Sequence, residues 1–283
     1  MDVVRHEDAL EFRARTEPFL MVDEARHNLL LGLITTLIER PEVYAEFHLW
    51  VVQDRGEVAA VAIRTPPFNL AVSRSSDGAI AVLAGKLHDD GVRLPGVTGA
   101  VPEVDLFAEA WAARTGDTAR LAMASRIYRL TSVKPVDGVS GHMRDATRED
   151  RDLLVDWIRA FGNEALPNAD PTDPERVVDL RLQGGGAGLV LWDDGEPVCL
   201  AGSGGPTPNG IRIGPVYTPP ALRRRGYASA LVAALSQRLL DEGRTFCFLY
   251  TDLSNPTSNR IYADVGYEPV CDSANYRFEA TGP

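Results

Sequence analysis

Apolar positions fall into two spacings along this chain, and the order in which the spacings occur lays out its elements. From about Val22 to Arg40, after a polar opening segment, Leu30, Leu33, Ile34, Leu37 and Ile38 recur at helical intervals, and Pro41 stops the run. Phe47 to Gln53 then reads as a strand, Asp54-Arg55-Gly56-Glu57 as a turn and Val58 to Ile63 as the returning strand of a hairpin. Phe68 to Ser73 predicts a third strand and Ala79 to His88 a short helix. A Gly/Pro-rich stretch, Leu94 to Pro102, reads as a connection to a helix through Phe107 and Trp111 ending at Gly116, and Arg120 to Val133 reads as extended.

The second half follows the same plan. A strand near His142 to Ala146 leads to Thr147, a helix cap before Glu149, Asp150 and the apolar set Leu153, Leu154, Trp157, Ile158 and Phe161. Gly162 to Thr172 is expected to be a loop, and Pro174 to Gln183 a second helix. The turn Asp193-Asp194-Gly195-Glu196 answers Asp54-Arg55-Gly56-Glu57, and the same offset relates Pro206 to Pro67. Ile127-Tyr128-Arg129-Leu130, late in the first half, is similar to Asn275-Tyr276-Arg277-Phe278, late in the second. These matches predict two copies of one α/β fold, residues 1–135 and 136–283, with Lys134 to Gly138 as the linker.

Candidate chemistry concentrates between Ile211 and Tyr267. A β-prone run, Ile211 to Tyr217, passes Pro219 and Pro220 into Arg223, Arg224, Arg225 and Gly226, and Tyr227, Leu231, Leu235 and Leu239 then mark an amphipathic helix. Three arginines at the positive end of a helix dipole make sense when an anion sits among them, held also by exposed backbone N–H groups. Gly226 offers no side chain to block that approach, and Ala228 keeps the first turn open. After a strand from Thr245 to Thr251, Asn255 caps a helix with Pro256 at its first position, and Gly266 ends it.

Arg223-x-x-Gly226-x-Ala228 resembles the Q/R-x-x-G-x-G/A signature of the GCN5-related N-acetyltransferases, the GNAT superfamily. Asn255 to Tyr267 resembles that family's second signature, N-x-x-(S/A)-x-x-x-Y-x-x-x-G-(F/Y). The resemblance implies an α/β (α+β mixed) fold, here two tandem GNAT-like domains, each a mostly antiparallel twisted sheet flanked by helices. It implies acetyl-CoA as co-substrate. The pantetheine arm would lie along Val216, Tyr217 and Thr218, and the pyrophosphate at Arg223, Arg224, Arg225, Gly226, Tyr227, Ala228 and Ser229, with Asn255 or Asn259 nearby. Tyr262 would protonate or hold the departing thiolate. The acetyl group would pass directly to a primary amine through a tetrahedral intermediate, stabilised by backbone N–H groups at Val216 and Tyr217.

An amine is protonated near neutrality and needs a proton acceptor before it can attack. No carboxylate lies on Ile211 to Thr218, so the expected acceptors are Glu164, or water ordered by Glu164, Asp252 or backbone carbonyls, with Glu164 and Asp170 candidates for contact with the amine. In the first half the corresponding loop reads Val72-Ser73-Arg74-Ser75-Ser76-Asp77-Gly78, where Asp77 would repel phosphate, and Trp111 stands opposite Tyr262. The first copy is therefore expected to keep the fold without a cofactor site. An acyl-CoA-binding or interaction protein without turnover is the alternative.

Composition changes this picture little. A formal charge of −11 over 283 residues argues against nucleic acid as a partner and favours approach of a cationic acceptor, either a small molecule or a peptide amine. No apolar run is long enough for a membrane span, and Cys199, Cys247 and Cys271 show no metal-binding spacing. Reduced thiols, no metal and a cytoplasmic setting are the expectation.

Overall fold

The computed structural model describes residues 1–165, 173–183 and 188–280, so the expected contact at Asp170 lies outside the described residues. The elements come in two rounds. The first is β1 (Asp2–His6), α1 (Ala9–Leu20), α2 (Asn28–Glu39), β2 (His48–Asp54), β3 (Glu57–Arg64), β4 (Leu70–Val72), α3 (Ala79–Asp89), β5 (Gly96–Ala100), α4 (Glu103–Thr115) and β6 (Thr118–Leu130). The second is β7 (His142–Asp145), α5 (Arg151–Ala165), α6 (Pro174–Leu182), β8 (Gly188–Asp193), β9 (Pro197–Gly204), β10 (Gly210–Tyr217), α7 (Tyr227–Asp241), β11 (Phe246–Asp252), α8 (Pro256–Val265) and β12 (Glu268–Glu279). Both rounds read β-α-α-β-β-β-α-β-α-β.

Chain contacts divide the molecule into two compact units, Met1–Ile127 with Val270–Pro283, and Tyr128–Pro269. This differs from a linear division after residue 135, because the C-terminal strand belongs to the first unit. Ser273–Arg277 of β12 pairs antiparallel with Gly96–Ala100 of β5, in the first unit. Tyr128 and Leu130, at the end of β6, are buried in the second unit's core beside Leu249 and Tyr267.

In the first unit, β1, β2, β3 and β4 are antiparallel neighbours, and β4 runs parallel to β5. Helices α1 and α2 bury Phe12, Leu20, Leu30, Leu31 and Ile34 against Leu49, Val51, Val61 and Ile63. The alternate strand positions, Trp50, Val52, Ala60 and Ala62, pack with α3 and α4, which is the period-2 consequence of a sheet covered on both faces. The N-terminal stretch, expected to be merely polar, contains β1 and α1, and the Gly/Pro-rich connection contains β5.

In the second unit, β7, β8, β9 and β10 are antiparallel neighbours, and β10 runs parallel to β11. Leu189, Leu191 and Leu200 face α5 and α6, while Val190, Cys199, Ala201, Ile211 and Ile213 face α7. Helix α5 is entered through a capping box, in which Thr147 and Asp150 satisfy each other's backbone N–H groups. No helix among the described residues is long and apolar enough to cross a membrane.

Candidate active site

The site in the second unit begins where two parallel strands part. Pairing between β10 and β11 covers only Gly210–Arg212 against Phe246–Phe248, although β10 continues to Tyr217 and β11 to Asp252. On its other edge β10 stays with β9, through a bulge between Ile213 and Val216, to Tyr217 opposite Leu200. Beyond Arg212, one edge of β10 therefore carries backbone groups with no β11 partner, and a bound chain can use them as a third strand would.

Past the open edge the chain turns into α7. Arg224 takes φ 65° and Gly226 φ 86°, and no side chain caps the helix. The backbone N–H groups of Tyr227, Ala228 and Ser229 consequently point out of the helix without partners among the described residues. Gly226 is required here for two reasons beyond room for a ligand: its backbone is left-handed, and a Cβ would lie 2.8 Å from Val139 Cγ2. Tyr227 is buried and its hydroxyl donates to Asp194 at 2.6 Å, a carboxylate that also accepts from Ser140 at 2.8 Å. Tyr227 anchors the turn through its side chain and offers a ligand only its backbone.

The three arginines do not act alike. Arg223 turns back, its Nε donating to the Thr218 carbonyl at 2.8 Å and its Nη2 to Glu164 at 2.6 Å, with the guanidinium 5.8 Å from the centre of the Tyr217 ring. Arg224 and Arg225 remain exposed. Glu164 belongs to the last turn of α5 rather than to the expected loop, because the helix runs through Ala165. There it also accepts from the Tyr217 hydroxyl at 3.4 Å, and the Tyr217 ring meets Trp157 of α5. Burial first, and then the Glu164 charge, pushes the Tyr217 phenol above its usual range.

The third side is α8. Asn255 caps it by accepting from Ser258 N at 3.1 Å. Asn259 is fully engaged: Nδ2 donates to the carbonyls of Asp252 and Asn255, and Oδ1 accepts from the hydroxyls of Thr251 and Tyr128. Both asparagines fasten α8 to the end of β11, and Asp252 is held by Ser254 in the same turn. Tyr262 lies one turn further on, its ring 5.9 Å from Tyr267. Its hydroxyl has no hydrogen-bond partner among the described residues, and burial, followed by the neighbouring Cys199, drives its pKa well up. Cys199 in turn accepts from the Thr218 hydroxyl at 3.1 Å, and burial raises its thiol to about 12. Sequence reading did not find Trp157 or the Cys199–Thr218 contact. Trp157 carried only a helix-face signal, and Cys199 only the pattern of a core strand.

A family model described as FR47-like protein matches residues 205–277, the stretch that carries β10, α7, β11 and α8. Among solved structures, an acetyltransferase of the GNAT family from Colwellia psychrerythraea superposes with TM-score 0.60 at 11% identity, covering 99% of this chain and 100% of that one. A GCN5-related N-acetyltransferase from Sphaerobacter thermophilus gives TM-score 0.63 at 16% identity over 97% and 95% of the two chains. A tandem GNAT protein from the clavulanic acid biosynthesis pathway gives 0.58 at 15% over 100% and 99%. No curated protein matches by sequence. The fold is that of the GCN5-related N-acetyltransferases. At these identities the structural likeness speaks to fold alone, and the family model bears on residues 205–277.

The first unit keeps the frame of the loop but fills it differently. Gly78 precedes α3 with φ 80°, ψ −14°, close to the φ 86°, ψ −6° of Gly226 before α7. The carboxylate that meets this loop is that of Glu103, not Asp77: Glu103 accepts from Ser75 N at 3.2 Å and pairs with Arg26. An internal anion thus already sits on a loop amide. Counting back from the left-handed glycines that end α4 and α8, Gly116 and Gly266, Tyr262 corresponds to Ala112 and not to Trp111. Trp111 is a core residue stacked between Phe107 and Phe278.

Proposed function

We propose that the second unit transfers an acetyl group from acetyl-CoA to a primary amine, and that the first unit has no cofactor site of its own. The observation that carries this reading is the pairing of an open β10 edge with the uncapped N-terminus of α7, flanked by exposed Arg224 and Arg225. An extended arm would bond along Val216 to Thr218, and a pyrophosphate would meet the N–H groups of Tyr227, Ala228 and Ser229. These residues suit the co-substrate, since each places an unsatisfied donor or cation where negative charge would lie.

On the acceptor side, the chain's own residues supply proton handling and orientation. Glu164, which accepts from both Tyr217 and Arg223, lies beside the open edge and would take the ammonium proton directly or through water. Tyr262 presents a phenol whose raised pKa keeps it protonated, as a donor to the departing thiolate must be. Calorimetric titration with acetyl-CoA, followed by thiol release over a panel of amines, tests the reading. Acetyl-CoA binding without thiol release from any amine would reduce the protein to an acyl-CoA-binding module, and absence of binding would end the proposal.

A further inference from the structure

Arg181, on α6, lies across the α5/α6 face of the second unit's sheet with no carboxylate bonded to it among the described residues. Its Nη1 donates to the Gly214 carbonyl at 3.0 Å and to the Ser203 carbonyl at 3.4 Å. Its guanidinium rests so closely on β9 that a Cβ on Gly202 would lie 2.3 Å from Nη1. That is a position held by backbone shape, and glycine at 202 is what makes room for it. Nε and Nη2 have no hydrogen-bond partner among the described residues.

The charged group closest in effect to Arg181 is a second cation. Arg212, on the same face of β10 because Ile211 and Ile213 point to α7, rests against Gly205 and has no ion pair or hydrogen bond among the described residues. Burial, and then the Arg212 charge, lowers the Arg181 guanidinium to about 10. Two neighbouring cations, one of them enclosed, are costly when no anion joins them, and a free guanidinium edge matches a carboxylate with two parallel hydrogen bonds. The Gly214 carbonyl that holds Arg181 is two residues before Val216, about 7 Å along the strand.

We propose that Arg181 and Arg212 form the anion subsite of the acceptor pocket, so that the acceptor is an amine that also bears a carboxylate, such as an ω-amino acid. The proposal rests on the acetyl-transfer reading for the identity of the pocket. The ammonium end then faces Glu164 and the carboxylate end the two arginines, a charge order that a simple alkylamine or polyamine cannot satisfy.

The test compares 5-aminopentanoate with its amide, 5-aminopentanamide, on the intact chain. Binding is followed by ligand-observed NMR titration, with acetyl-CoA affinity and thiol release measured on the same preparations. The carboxylate is expected to bind about 10- to 100-fold more tightly than the amide, the range for losing charge-assisted hydrogen bonds. Arg181→Met and Arg212→Gln should each remove most of that preference, the carboxylate losing more affinity than the amide. If Arg181→Met does not fold, the half-exposed Arg212→Gln decides alone. Equal binding of the two probes by the wild type, or an undiminished preference in Arg212→Gln, overturns the subsite. A carboxylate preference without thiol release upholds the subsite and sinks acetyl transfer, whereas equal thiol release from both probes does the reverse.

Discussion

The Glu164 carboxylate accepts from Arg223 Nη2 at 2.6 Å while the two side chains remain 46% and 43% exposed. The first arginine of the loop signature is thus tied to Glu164, the carboxylate that the proposed reading makes the proton acceptor. An ion pair this open contributes about 0–1 kcal/mol, so breaking it should alter acetyl-CoA affinity by no more than about 5-fold. Glu164→Gln is therefore expected to lower kcat by about 10- to 100-fold, with most of the loss at the acidic end of the pH profile relieved by more basic buffers. Unchanged kcat with weakened acetyl-CoA binding would make Glu164 a positioning residue for Arg223 instead.

In the proposed reading the phosphate role falls to Arg224, Arg225 and the N–H groups behind them. Replacing Gly226 is a poor test, since its left-handed backbone and the nearby Val139 would strain any other residue and confuse affinity with folding. Arg224→Glu combined with Arg225→Glu changes two exposed side chains and should leave thermal stability within about 0.5 kcal/mol. Acetyl-CoA affinity should fall at least about 100-fold, from two lost charge-assisted contacts and two added repulsions. Calorimetry showing wild-type affinity would move the cofactor elsewhere in the molecule.

The local structure at the entry to α7 and around α8 was legible because glycine, proline and arginine carried specific local roles there. Where the sequence misled, the reasons are physical. β5 reads as a loop because Gly96 and Gly99 interrupt it, yet those glycines are demanded by packing: a Cβ would lie 2.0 Å from the Tyr276 carbonyl at Gly96 and 2.8 Å from Val72 at Gly99. α1 buries only Phe12, Thr16 and Leu20, one residue per turn, with Pro18 inside, so its apolar stripe is too thin to stand out. The unit boundary was hidden because strand exchange leaves no mark in composition. Arg181 was invisible as a site residue because one arginine on a short amphipathic helix reads as a solvated charge until Gly202 is found beneath it.

Acid stability of the second unit should depend on Asp150. It bonds to Arg144 through both oxygens at 2.8 Å and to Thr147 N at 2.8 Å, and its side chain is 11% exposed. The hydrogen bonds from Arg144, opposed by burial, bring its pKa down from 3.8 to about 2. A carboxylate with a depressed folded pKa stabilises fully above its unfolded value and loses that contribution as pH falls through the folded one. Asp150→Asn should therefore destabilise the protein by about 1–2 kcal/mol at pH 7, with the gap to wild type closing between about pH 4 and pH 2. Denaturation midpoints measured across that window check it, and a constant gap would assign the loss to the capping box alone.

Tyr262 offers the cleanest test of chemistry. Because its hydroxyl has no hydrogen-bond partner among the described residues, Tyr262→Phe removes no internal bond and keeps the ring against Tyr267 and the α7 core. Stability should stay within about 0.5 kcal/mol of wild type. Acetyl-CoA affinity should also hold, since the phosphate and pantetheine contacts lie on other elements. General-acid assistance typically supplies about 10²–10⁴-fold, but a thiol of ordinary acidity departs well unaided, so the expected loss in kcat is on the order of 10–10²-fold. The raised phenol pKa adds a second requirement: in the wild type no fall in rate below about pH 10 should trace to Tyr262, because the group stays protonated there. Wild-type turnover in Tyr262→Phe, measured where the chemical step limits the rate, would leave Tyr262 as a packing residue and require the thiolate to leave without a protein donor.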